Sequence, residues 1–264
     1  MIGYADAFVS EDNDHGAFQE YTVVPESATS KLPDTISLEE GVMLPTATAS
    51  ATVALFHCLK QALPKTSYAC DDPRDPGLLV WGGSSVVGAM TIQFARAIGL
   101  TVYTTASPAH HDYLKSLGAS KVFDYRSTTV VSDILDAAQK AGKHIPFVLD
   151  AISETGTFDP CVEVLERSIE GNRTLITTLP WPQDKTQPDG VEIQFLPGFV
   201  LWTEEKHLST WLFHEYLPCV LENRLIVPSP KVQVVEGGLE NMQTAMDMLK
   251  AGVSCTKLIV KLVP

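Results

Sequence analysis

The eight residues Trp81-Gly82-Gly83-Ser84-Ser85-Val86-Val87-Gly88 have the types and spacing with which a chain can grip a pyrophosphate. Glycines at 82 and 83 permit a tight turn and a close approach of backbone to the anion. Gly88 lets the following helix pack against a sheet, and the start of that helix offers free amides and a positive dipole end. Ser84 and Ser85 add hydroxyl donors, and Val86 and Val87 supply the first amides of the helix. A glycine-rich turn alone says little. This one follows the apolar run Leu78-Leu79-Val80-Trp81 and opens the helically spaced stretch Val86 to Ile98, the setting in which such a turn cradles a dinucleotide.

The next strand, Thr101 to Thr105, ends in Ala106-Ser107-Pro108-Ala109-His110. A site for NAD places Asp or Glu at that tip to bind the ribose 2′-hydroxyl. No acid stands here, so nothing repels a 2′-phosphate, and Ser107 can donate to one. Tyr125 and Arg126 follow the third strand and flank the adenosine end. These residues favour NADP over NAD.

Other polar residues read more plainly. His57, on an apolar helix, is a core or cleft histidine. His207 and His214 lie seven apart and share one face beside Trp202, Trp211 and Glu215. Asp150 closes a buried strand at the end that meets the ligand crevice, where it either serves the cofactor or caps a helix. The five cysteines, at 58, 70, 161, 219 and 255, include no Cys-x-x-Cys and no Cys/His pairing at zinc spacing. No metal is expected. The odd count, with no basic and apolar leader at Met1-Ile2-Gly3-Tyr4, points to a reducing, cytoplasmic location.

The elements that must position these residues alternate. Strands at Leu78–Trp81, Thr101–Thr105, Lys121–Phe123, Phe147–Asp150 and Arg173–Thr177 are separated by helical segments around Val86–Ile98, Ala109–Leu117, Ser132–Ala141 and Phe158–Leu165. That order means βαβ units and a parallel sheet covered on both faces. Upstream, Ala17 to Val24 has strand character, and Ser37-Leu38-Glu39-Glu40 has the form of a capping box. Gly41 to Leu59 is nearly free of charge. Pro45 and its threonines make it a buried helix and not a membrane span. Residues Gln61 to Gly77 form a surface connection. Downstream come a strand at Val191–Leu196, a long helix around Glu204–Glu222, an amphipathic helix at Leu239–Lys250 and a terminal strand at Lys257–Leu262. A net charge of −13 argues against nucleic acid and anionic membrane surfaces as partners, since both require a basic footprint.

The run from Leu78 to Arg126, with Gly-Ala-Ser-Lys-Val-Phe-Asp-Tyr-Arg at 118–126, resembles the medium-chain dehydrogenase/reductases. Within them it is most similar to the zinc-independent fungal branch of trans-acting enoyl reductases and quinone-reductase-like proteins. Gly16-Ala17-Phe18-Gln19-Glu20-Tyr21 is similar to a stretch of that family's GroES-like catalytic domain. Leu44-Pro45-Thr46-Ala47-Thr48 resembles its cleft-lining helix, and Gly238 to Val260 its C-terminal return. The resemblance implies an α/β fold, a Rossmann doubly wound parallel sheet plus a partial GroES-like β domain, divided at 1–37, 38–227 and 228–264. Family members carry a further catalytic segment upstream of Ile2, so the chain reads as N-terminally truncated.

The resemblance further implies NADP contacts at Gly82 to Gly88, Ser107, His110 and Tyr125. Thr177 and Leu179 would lie near the nicotinamide, with Ile259 and Val260 behind it. Substrate would meet Pro45, Thr46, Thr48, Ser50 and Trp202. It assigns no catalytic residue. The implied activity is a zinc-independent, NADP-dependent enoyl or quinone reductase of polyketide metabolism, acting on a small hydrophobic substrate and allowing a homodimer. The alternative is the same fold reused for a redox-neutral cyclisation or isomerisation, or for ligand binding alone.

Overall fold

In the protein's structure, a computed structural model, residues 1–64, 74–169 and 171–262 are described. The chain opens with a short antiparallel pair, β1 (Ile2–Gly3) and β2 (Thr29–Ser30), in which Ile2 lies opposite Ser30. The strand expected over Ala17–Val24 is not formed. A strand needs a neighbour to accept and donate its backbone hydrogen bonds, and none pairs with this segment among the described residues. Its apolar side chains are left in solvent, with Phe18 65% and Tyr21 88% exposed. The Gln19 amide holds the segment as a loop by donating to the carbonyls of Asp14 and Gly16 at 2.9 and 2.8 Å.

The capping box is present. The Glu40 amide donates to Ser37 Oγ at 3.2 Å, and the Ser37 amide donates to Glu40 Oε2 at 3.1 Å. The chain then runs helically through Leu38–Gly41 and Leu44–Thr52 into a wider turn at Val53–Cys58. This stretch is long and apolar enough to cross a membrane, but 83% of its most apolar window is buried inside the protein. Ser37→Ala is expected to remove about 1 kcal/mol of stability, seen as a fall of about 2–4 °C in the thermal midpoint. An unchanged midpoint would show that the box contributes nothing.

Six strands follow: β3 (Arg74–Trp81), β4 (Leu100–Thr105), β5 (Lys121–Phe123), β6 (Phe147–Asp150), β7 (Arg173–Thr177) and β8 (Val191–Phe195). They form one parallel sheet in the order β5-β4-β3-β6-β7-β8. The first strand runs outward to one edge through β4 and β5, and the chain then returns to build the other half from β6. This is the doubly wound Rossmann order, whose reversal point lies between β3 and β6. Leu78, Leu79, Val80, Val148, Leu149, Leu175 and Ile176 are buried, which is why these strands read as near-continuous apolar runs. β3 begins at Arg74, earlier than the expected Leu78, and its register with β4 shifts between Arg74 and Gly77. Residues 65–73 of the expected connection, Cys70 among them, lie outside the described residues.

The long helix expected around Glu204–Glu222 is present and runs without interruption from Lys206 to Glu222, after a separate turn at Val200–Thr203. Between Lys206–Thr210 and Leu217–Glu222 it widens into a π segment at Trp211–Tyr216. Pro218 fits the widening: it has no amide to donate, and its ring would crowd the carbonyl four residues back, at His214. His207 and His214, expected on one face, both lie on this run and both are exposed. His207 pairs with Glu205 at 3.3 Å, and His214 Nε2 lies 3.0 Å from the Glu26 carbonyl oxygen. The chain closes with β9 (Lys231–Val235), a helix at Met242–Ala251 and β10 (Thr256–Val260), the two strands pairing in parallel.

The chain divides into one unit of Met1–Ala49 with Phe199–Pro264 and another of Ser50–Gly198. Residues 38–49 and 199–227, read from sequence as part of the dinucleotide-binding domain, group with the terminal segments.

Candidate dinucleotide site

The glycine-rich turn connects β3 to the helix Val86–Ala97 at the carboxyl end of the sheet. Gly82 takes φ +81, a left-handed conformation that glycine adopts without strain. Gly83 and Gly88 are required by space: a Cβ on Gly83 would stand 2.1 Å from Thr104 Oγ1, and one on Gly88 2.4 Å from the Gly82 carbonyl oxygen.

Several amides of the turn are already engaged. Gly82 donates to Thr105 Oγ1, Gly83 to the Thr105 carbonyl, Ser85 to the Gly82 carbonyl, and Gly88 to Ser85 Oγ. Ser85 is the N-cap of the helix, so its oxygen is committed to Gly88 while its hydroxyl proton remains available. Val86 and Val87 open the helix, where no intrahelical acceptor exists for their amides. The turn can therefore offer an anion the Val86 and Val87 amides and the Ser85 hydroxyl at the positive end of the helix dipole. That donor set fits the pyrophosphate of a dinucleotide.

At the tips of β4 and β5 the structure brings three predicted residues together. Arg126 donates to Ser107 Oγ at 3.2 Å, and its guanidinium lies 4.9 Å from the centre of the Tyr125 ring. Tyr125, 44% exposed, and Arg126 face solvent, while Ser107 is half-buried. His110 is half-buried at the end of the single turn Pro108–His110. The next residue, His111, places Nε2 3.1 Å from the Ala106 carbonyl oxygen and so ties that turn to the strand tip.

Asp150, the last residue of β6, is fully buried. Its Oδ1 accepts the Ile152 and Ser153 amides at 3.1 and 2.9 Å, and its Oδ2 accepts the Thr157 hydroxyl in a short bond. Burial raises its pKa, opposed by the bonds from Thr157, Ser153 and Ile152. Of the two roles weighed for this residue, helix capping is not what its bonds perform: the next helix has Thr157 as its N-cap, and the carboxylate instead organises the loop between β6 and that helix. Sequence reading missed its partners Ser153 and Thr157, whose spacing of three and seven from Asp150 was the only signal. Next to it, β7 ends at Thr177, whose buried Oγ1 has no partner among the described residues, and Leu179 beyond it is 51% exposed.

Four of the residues assigned to substrate, Pro45, Thr46, Thr48 and Ser50, lie on two sides of one helix. Thr46 is exposed and Ser50 half-buried, one turn apart, whereas Pro45 and Thr48 are buried. Thr48 donates its hydroxyl to the Leu44 carbonyl at 2.7 Å and is thus satisfied within its own helix. Trp202 belongs to the unit formed by the termini, where its ring packs on Tyr4 at 4.4 Å between centres and its Nε1 is buried with no partner among the described residues. Ile259 and Val260, in the same unit, stand opposite Val234 and Val235 in the β9–β10 pair. His57 is half-buried in the Val53–Cys58 turn. Beside it, burial pushes the Cys58 thiol up to about 11.

Residues 86–213 match the family of zinc-binding dehydrogenases. Among the described residues, no group of three or more His, Cys, Asp or Glu could hold a metal ion. The chain is 36% identical over 265 residues to the trans-enoyl reductase tndF of Aspergillus flavipes, a match covering 99% of this chain and 75% of that protein. To the trans-enoyl reductase himH of Aspergillus japonicus it is 33% identical over 264 residues, covering 99% and 73%. Among solved structures, the quinone oxidoreductase of Pseudomonas syringae pv. Tomato DC3000 shares the fold with a TM-score of 0.70 at 20% identity, covering 94% of this chain and 72% of that one. The CurK enoyl reductase shares it at 0.66 and 18%, covering 92% of this chain and 66% of that one. By fold, turn and relatives, this chain belongs to the medium-chain dehydrogenase/reductase superfamily of oxidoreductases, in its fungal trans-enoyl reductase branch.

Proposed function

We propose that this protein is an NADP-dependent enoyl reductase that acts, without zinc, on a small hydrophobic conjugated carbonyl of polyketide type. The observation that carries the choice of cofactor is the Arg126–Ser107 pair at the strand tips, its guanidinium over the Tyr125 ring, with no acid among Ala106–His110 at the tip of β4. A guanidinium held by a hydroxyl and an aromatic face is preorganised for a phosphate dianion. The ribose diol of NAD would leave that cation unpaired.

A bound nicotinamide supplies the hydride for the β-carbon of the conjugated carbonyl. The chain's own residues do the holding. The Val86 and Val87 amides and the Ser85 hydroxyl receive the pyrophosphate, Ser107 and Arg126 the 2′-phosphate, and Tyr125 the adenosine. The exposed edge of the Leu44–Thr52 helix, Thr46 and Ser50, offers hydroxyls to an oxygenated substrate. The two relatives quoted above bear the name trans-enoyl reductase, which supports this substrate class.

The test is a fluorescence titration of the purified protein with NADPH and NADH, followed by enone and enoyl-thioester substrates with NADPH oxidation as readout. NADPH is expected to bind at least about tenfold more tightly, the ratio that one charge-assisted contact provides, and to be consumed in proportion to product. Equal binding of the two cofactors would overturn the NADP assignment. Turnover that proceeds unchanged without nucleotide would replace the reductase with a redox-neutral enzyme.

A further inference from the structure

The loop after β6 carries a closed set of hydrogen bonds that pyrophosphate binding does not require. Asp150 is paired across the sheet with Trp81 of β3 on one side and Thr177 of β7 on the other. It therefore stands at the point where the strand order reverses, between the strand that feeds the glycine-rich turn and the strand that ends at Thr177, whose buried hydroxyl has no partner among the described residues. Its Oδ1 gathers the Ile152 and Ser153 amides. Ile152 in turn fills the space beside Gly82, because a Cβ on Gly82 would lie 2.4 Å from Ile152 Cγ1.

Ser153 makes the second link. It is held at φ +56, a conformation that a side chain rarely adopts. In that conformation its hydroxyl donates to the Asp150 carbonyl at 2.8 Å and accepts the Thr178 amide at 2.8 Å. Thr178 is the first residue past β7, and its own hydroxyl lies 3.2 Å from Ser153 Oγ. One buried carboxylate thus fixes both the residue that abuts the phosphate turn and the residue that pins the exit of β7. Strain at a non-glycine residue persists only where the surroundings over-determine it, and here four hydrogen bonds of Ser153, to Asp150 and Thr178, do so.

In a doubly wound sheet each half binds one mononucleotide, and the half that begins at β6 takes the part of the ligand away from the adenosine. We infer that Asp150 and Ser153 are positioning residues for the nicotinamide half of the cofactor, holding the exit of β7, with its buried Thr177 hydroxyl, at a set distance from the Gly82 turn. This rests on the proposed cofactor reading. Thr157, which donates to Asp150 Oδ2, belongs to the same device.

The experiment compares NADPH with adenosine 2′,5′-bisphosphate, a fragment that occupies only the adenosine half. Affinities are measured by fluorescence and calorimetry on the full chain. Ser153→Ala removes the acceptor of the Thr178 amide and is expected to weaken NADPH about tenfold while leaving the fragment within about twofold. Thr157→Val is expected to repeat that split and Thr157→Ser to abolish it, which keeps the proposal testable if Ser153→Ala does not fold. A merely structural role predicts parallel losses for both ligands or a fall in the thermal midpoint alone, and either result would overturn the inference. Wild-type protein that binds neither ligand would instead overturn the cofactor reading.

Discussion

Gly88→Ala is expected to lower stability by about 1–3 kcal/mol, the usual cost of overpacking, and to weaken NADPH by at least about tenfold. The added Cβ would stand 2.4 Å from the Gly82 carbonyl oxygen and 2.9 Å from Gly83 Cα. Both neighbours are backbone, so no rotamer change can relieve the clash. Either the helix Val86–Ala97 lifts from the turn or the turn opens. In both cases the Gly88 amide leaves Ser85 Oγ, and the free amides of Val86 and Val87 lose their common aim. Gly142→Ala is the matched control. That residue also has positive φ, +66, but nothing lies within 4 Å of its Cβ position. It is expected to cost about 1 kcal/mol from backbone strain alone with no change in cofactor affinity. Thermal melts and NADPH titrations of the two variants check this. Full NADPH affinity in Gly88→Ala would remove the turn from the binding site.

Arg126→Ala is expected to weaken NADPH by roughly 10–100-fold, the range for a hydrogen bond to a charged group, and to leave NADH within about twofold. The guanidinium contacts Ser107 and the Tyr125 ring and is exposed, so the fold is expected to be unaffected. Arg126→Lys is expected to recover only part of the loss, because an ammonium neither stacks flat on Tyr125 nor presents a two-pronged donor. Raising salt is expected to narrow the wild-type preference, since the pair lies in solvent and is screened. Equal losses for NADPH and NADH would place Arg126 outside the 2′-phosphate site.

Much of the dinucleotide-binding unit was legible from sequence because its signals are local. The glycines at 82, 83 and 88 answer to a turn a few residues long, and Ser37 and Glu40 bond each other across three positions. The apolar runs of β3, β6 and β7 are legible for the same reason: strands buried on both faces cannot alternate. The Asp150 knot was only half legible. A buried carboxylate at a strand end was visible, but its bond to Thr157 depends on a loop path, and the link to Thr178 crosses 25 residues. Ala17–Val24 misled because strand propensity says what a segment can do and a ladder partner decides what it does.

By itself, the sequence determined most of the order of strands and helices, the glycine-rich turn, the lack of an acid after β4 and the net charge of −13. These depend on residue type and short spacing. Only the tertiary structure decided which strand ends meet. It brought Arg126 to Ser107 across two strand tips and made Asp150 a brace between β3 and β7. It also committed Thr48 to its own helix and grouped residues 199–227 with the termini. The reason is that a pairing between distant segments is set by the competition among all partners for burial and hydrogen bonds, and no single segment carries that information.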